Sequence, residues 1–129
     1  MAQRRFFIGL TGRMASGKGE AVRLLQDRGF AAISLSDIVR REAARENLKV
    51  SRAGMQDIGN RLRAEGGAGV LGRLVREQVQ AADARRWVID GIRNPAEVLE
   101  LRKMAGFYLL GIASDIPTIL ARMKKRARA

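Results

Sequence analysis

The chain has 129 residues, 47% of them apolar and 29% charged, a balance that suits one globular domain over residues 1–129 and excludes a disordered chain. It contains no cysteine and no histidine, which excludes a disulfide framework, a zinc site of the usual kind and a Ser-His-Asp triad. Twenty arginines and five lysines face thirteen acids, a net charge of +12, so the expected partner is anionic: a polyphosphate ligand or a nucleic acid.

Phe6 to Leu10 is a short apolar run and reads as a buried strand. Gly9 and Gly12 interrupt it, so it is too short for a signal-peptide core, and no stretch of the chain approaches the ~18 apolar residues of a membrane span. A soluble, cytoplasmic protein with no membrane partner is expected. The segment Gly12 to Lys18 is punctuated by glycine. Ala21, Val22, Leu24 and Leu25 then recur at helical spacing until Gly29 supplies a stop. Phe30 to Ile33 reads as a second strand, followed by a helix from about Ser36 to Glu46. Ser51 caps the next helix, whose apolar positions are Met55, Ile58 and Leu62. Gly66-Gly67-Ala68-Gly69 reads as a helix–helix turn, and also as a second phosphate loop, although no strand precedes it.

Val70, Leu71, Leu74, Val75 and Val79 stripe another helix. Trp87 to Asp90 is the best candidate for a central strand. Asn94, Pro95 and Glu97 supply an N-cap, a proline at N1 and a glutamate at N3 for a helix that stops at Gly106. Phe107 to Ala113 is a fourth strand, and Ile116, Ile119, Leu120 and Met123 stripe a last helix. Strands alternating with helices imply right-handed βαβ units and an α/β fold with a parallel sheet between two helical layers.

Gly12-Arg13-Met14-Ala15-Ser16-Gly17-Lys18 fits G-x-x-x-x-G-K, the P-loop signature, between a strand and a helix as the motif requires. Glycines let the backbone wrap phosphate oxygens and aim its N–H groups inward. The helix that follows adds its positive end, and Lys18 adds a charge for the β- and γ-phosphates. The hydroxyl residue that usually follows the lysine and meets magnesium is Gly19 here, and Glu20 comes next. Magnesium then needs another group. Asp90, a carboxylate directly after an apolar strand, is the candidate, and the alternative is a turn aspartate.

Gly9-Leu10-Thr11-Gly12 through Lys18, with Leu24-Leu25 and Gly29-Phe30, resembles the opening of dephospho-CoA kinases. Gly17-Lys18-Gly19 resembles adenylate kinases instead, as does Ile33 to Arg40, their acceptor-site segment. Asp90-Gly91-Ile92-Arg93 is similar to the Asp-Gly turn and nearby arginine of the same kinases, with the arginine one residue earlier. The resemblance implies a P-loop NTPase fold that binds ATP and Mg2+ and transfers the γ-phosphoryl group to a small nucleotide-type acceptor. It implies that Arg40 and Arg93 grip phosphates and that Arg122 belongs to a lid over the reacting phosphates. For all three the alternative is a solvated surface charge. Asp37 either orients or deprotonates an acceptor hydroxyl or caps a helix beside Ser36.

Gly12, Ser36-Asp37 and Asp90 to Arg93 all follow expected strands, so they should meet at the carboxyl edge of the sheet. The chain ends at Ala129, where those kinases continue into a lid, a further strand and a closing helix. On that comparison the last strand's edge and the Trp87 region are expected to lack cover. Three readings stand: a nucleoside monophosphate kinase-like enzyme, a dephospho-CoA kinase-like enzyme, and a basic ATP- or nucleic-acid-binding module without turnover. With one Trp, one Tyr and four Phe there is little surface for base stacking, which weighs against single-strand recognition.

Overall fold

The computed structural model describes residues 4–12, 17–47 and 51–112. Its elements in chain order are β1 (Phe6–Gly12), α1 (Lys18–Asp27), β2 (Ala31–Ser34), α2 (Leu35–Arg45), α3 (Arg52–Gly66), α4 (Val70–Ala81), β3 (Arg86–Asp90), α5 (Pro95–Leu101) and β4 (Phe107–Ile112). The four strands form one sheet in the order β2-β3-β1-β4, and every pairing is parallel. Parallel neighbours require crossovers, and the intervening helices provide them.

Register assigns the two faces. Phe7 pairs with Trp87, and Ile33 with Ile89, on one face, where they join α2 to α5 in the main core through Leu35, Ile38, Ile58, Val75 and Leu101. Val88 and Ala32 lie on the other face beneath Val22 of α1. Helices therefore cover both sides of an α/β sheet. Arg5, just before β1, donates to the carbonyls of Val79, Gln80, Ala82 and Ala84 at 2.7–3.1 Å, so its guanidinium satisfies acceptors that the end of α4 leaves open.

Several boundaries differ from the sequence reading. β2 runs from Ala31 to Ser34, and α2 starts at Leu35, not Ser36. The reason is a capping box: Ser34 Oγ accepts from the Ser36 amide, while Asp37 Oδ2 accepts from the Ser34 amide at 2.8 Å. α1 turns Leu24 to solvent at 54% exposure and keeps Lys18, Ala21, Val22 and Leu25 half-buried. α5 closes at Leu101, five residues before Gly106. Trp87 is covered, contrary to expectation, because the core packs over it and its Nε1 donates to the Ala84 carbonyl at 3.0 Å. β4 does lie at an edge, with Tyr108, Leu109 and Leu110 exposed. The stripe from Ile116 to Met123 lies outside the described residues.

Candidate functional site

The crossovers bring the carboxyl ends of β1, β2 and β3 to one edge of the sheet, where α/β proteins hold ligands. Gly12 ends β1 and Gly17 caps α1 in a left-handed conformation (φ 101°, ψ 12°) that a side chain disfavours. Arg13, Met14, Ala15 and Ser16 lie outside the described residues. The Gly17 carbonyl accepts the first intrahelical bond, from Ala21, and no side chain caps this end of the helix. The amides of Lys18, Gly19 and Glu20 belong to the first turn, whose N–H groups have no intrahelical partner among the described residues, and the positive end of a helix favours an anion there. Among the described residues nothing lies within 4 Å of a Cβ added at Gly19.

Asp90 ends β3 beside Ser34 of β2. Its Oδ1 is buried without a hydrogen-bond partner among the described residues. It lines a cavity of about 140 Å³ together with Val22, Ile33, Ser34, Asp37 and Val88. A buried carboxylate oxygen left unpaired is costly, and such an atom ordinarily serves a ligand, an ion or a proton transfer. Gly91 follows with φ +81°, and a Cβ there would sit 2.7 Å from Ser34 Oγ, so the turn after β3 is pressed against the β2–α2 junction.

Asp37 spends both carboxylate oxygens within α2: Oδ2 takes the Ser34 amide and Oδ1 takes the Arg40 guanidinium at 2.7 Å. Arg40 remains largely exposed, and its guanidinium meets Asp37 in an i,i+3 ion pair. Arg93 is exposed, and its main-chain N–H donates to Glu97 Oε1 at 2.7 Å. The strand order sets the starts of α1 and α2 and the end of β3 at one edge of the sheet; of the expected site residues Asp37 and Asp90 share the cavity lining, and Arg40 is tied to Asp37 by their ion pair. Arg122 lies outside the described residues. No cluster of three or more metal-ligating side chains occurs among the described residues, and the cavity is lined by two carboxylates, Asp90 and Asp37. That arrangement suits magnesium, which keeps several waters and takes one or two carboxylates plus substrate phosphates.

Two contacts here were not evident from the sequence. Glu97, fully buried, holds the amides of Arg93 and Asn94 and also meets Arg63 of α3. Asn94 reaches Ala68 in the α3–α4 turn. The capping pattern Asn94 to Glu97 was readable, but Arg63, 34 residues away, carried no signal. The Gly66–Gly69 segment joins two helices and its Ala68 carbonyl is spent on Asn94, so it is a turn and not a phosphate loop.

A family model described as an AAA domain matches residues 11–129. Over 123 residues the chain is 34% identical to a UPF0200 protein of Methanoculleus marisnigri, covering 95% of this chain and 67% of that protein. It spans about two thirds of the length of the curated relatives it matches. Among solved structures, TT1252 from Thermus thermophilus is similar, with a TM-score of 0.61 at 21% identity over 98% of this chain and 75% of that one. A gluconokinase from Sinorhizobium meliloti 1021 gives a TM-score of 0.55 at 15% identity, over 98% of this chain and 69% of its own. These two likenesses concern the fold. No helix among the described residues is long and apolar enough to cross a membrane.

Proposed function

The chain belongs to the AAA domain family, with a P-loop kinase-like fold, and from that premise we propose that it transfers the γ-phosphoryl group of ATP to a small nucleotide-type acceptor. The observation that carries this reading is the buried, unpartnered Oδ1 of Asp90, on the same sheet edge as the open amides at the start of α1. An anion seat and a free carboxylate side by side are what a nucleotide with its counter-ion requires.

In this reading the backbone from Gly12 to Glu20, with Arg13, Met14, Ala15 and Ser16 between the flanking glycines, cradles the phosphates. Lys18 neutralises the β- and γ-oxygens. Asp90 holds Mg2+, indirectly or through one bond, and Gly19 contributes no hydroxyl. Bound there, the ion would supply charge neutralisation at the β- and γ-phosphates. Arg40, steadied by Asp37, takes the acceptor's phosphate, and Arg93 and Arg122 meet the charge that develops on the group in transit. Asp37, whose Oδ2 takes the Ser34 amide and whose Oδ1 takes Arg40, works in this reading by positioning Arg40. An acceptor phosphate oxygen attacks the γ-phosphorus, the bond to the β–γ bridging oxygen breaks, and ADP leaves. With a nucleoside monophosphate the attacking oxygen is already anionic and needs no base, whereas a hydroxyl acceptor such as dephospho-CoA must also give up its proton.

The test is ATP consumption against a panel of nucleoside monophosphates, dephospho-CoA and gluconate (the last because a gluconokinase shares the fold), with Lys18→Ala in parallel. Turnover with at least one acceptor, reduced at least about 100-fold in Lys18→Ala, is expected. ATP binding without turnover on any acceptor, together with salt-sensitive RNA binding, would contradict the transferase reading and favour a basic nucleotide-dependent binding module.

A further inference from the structure

Between β3 and α5 the chain must turn sharply, and what holds that turn lies underneath it. Glu97 is the one buried charged side chain among the described residues, at 0% exposure. Its Oε1 accepts from two successive amides, Arg93 at 2.7 Å and Asn94 at 3.2 Å. Its Oε2 meets Arg63 Nη2 at 3.3 Å, across from α3. Its own amide donates to Asn94 Oδ1 at 2.9 Å, and Asn94 Nδ2 reaches the Ala68 carbonyl at 3.1 Å. α4 presses on the same spot, because a Cβ at Gly72 would stand 2.7 Å from the Glu97 carbonyl oxygen.

A helix cap alone does not require this arrangement. A capping-box glutamate is ordinarily solvated and returns one bond to its own N-cap. Here the carboxylate is withdrawn from water, which is costly unless the charge is paired, and its second oxygen is spent on another helix. Arg63 lies on the face of α3 that meets α2, with its Nη1 3.6 Å from the position of a Gly59 Cβ and Val39 of α2 beside that same position. The chain of contacts therefore runs from the acceptor-side helices α2 and α3, through Arg63 and Glu97, to the main chain of Arg93.

We propose that Glu97 is a positioning residue that fixes the Arg93 main chain and ties it to α3 through Arg63, setting Arg93 relative to the acceptor helices. The role of Arg93 rests on the phosphotransferase reading above; the geometry of the tie does not. Glu97→Gln keeps an oxygen for the two amides but removes the charge that strengthens those bonds and pairs with Arg63.

In the full chain, with AMP and dephospho-CoA as acceptor probes, Glu97→Gln is expected to lower kcat/KM for the acceptor about tenfold and to leave ATP affinity within about twofold. If Glu97 acts through Arg93, the same substitution placed on Arg93→Ala costs less than about twofold. Equal losses in both backgrounds overturn the proposal. Amide hydrogen exchange supplies a readout that needs no acceptor. Exchange at Arg93 and Asn94 should quicken about tenfold in Glu97→Gln while β3 and α4 keep their protection, and unchanged exchange there overturns the tie. A wild-type protein that phosphorylates no acceptor of the wider panel sinks the transferase reading instead, and the exchange result then decides the role of Glu97. Should Glu97→Gln fail to fold, Arg63→Met, which removes the partner and spares the carboxylate, carries the same expectations.

Discussion

Gly91 and Gly19 sit on either side of the candidate site and make opposite demands. Gly91 has φ +81° and Ser34 Oγ stands 2.7 Å from where its Cβ would be. Gly91→Ala therefore adds left-handed strain to a steric clash at the β2–α2 junction, and a loss of about 2–4 kcal/mol by urea unfolding is expected. Gly19 has open space around it, so Gly19→Ser should leave stability within about 1 kcal/mol. If Asp90 carries the metal role without a hydroxyl partner, the added serine should also tighten binding of ATP in the presence of Mg2+, read by titration with and without the ion. The spacing from Gly12 to Lys18 was legible because a phosphate loop is a local object, complete within a few residues. The Arg63–Glu97 contact was not, because it joins residues 34 apart whose meeting depends on how α3, α4 and α5 pack.

At the level of elements, helix ends were the most readable features. Asn94-Pro95-Ala96-Glu97 and Ser51 appear in the structure as the caps their chemistry suggested. The start of α2 was misread by one residue because Ser34 and Ser36 are both plausible caps, and the Asp37 carboxylate selects Ser34 by bonding its amide.

Ion pairs then link neighbouring helices: Glu46 to Arg61 between the end of α2 and α3, and Glu100 to Arg76 between α5 and α4, with Lys103 beside it. Hydrogen bonding from Arg61 holds the Glu46 carboxyl below its ordinary range, and Lys103 and then Arg76 do the same for Glu100. Depressed carboxyls contribute stability that is whole above the ordinary carboxylate pKa of about 4.3 and is lost as pH falls through their lower folded values. Thermal melts should accordingly be flat from about pH 7 to 5 and fall below about pH 4.5. Glu100→Gln should lower the melting temperature at neutral pH and shrink the drop on acidification; an unchanged acid profile would remove Glu100 from the account.

For the whole molecule, alternation of strands and helices implied a parallel α/β sheet, and the sheet has that form with order β2-β3-β1-β4. Strand order was not readable from periodicity, which assigns faces and says nothing of neighbours. It matters here because placing β3 between β2 and β1 brings Asp90 next to Ser34 and close to the start of α1. Asp90 is half-buried, and its Oδ1, buried and without a partner among the described residues, carries a stability cost that a bound ligand would offset.

The measurement that bears most directly on this is calorimetric titration of ATP, with and without Mg2+, into the wild type, Lys18→Ala and Asp90→Asn. The account predicts binding that Lys18→Ala weakens at least about tenfold, and a Mg2+-dependent gain that Asp90→Asn abolishes without lowering the melting temperature. No heat with ATP at millimolar concentration, or equal affinity in the wild type and Lys18→Ala, would contradict it.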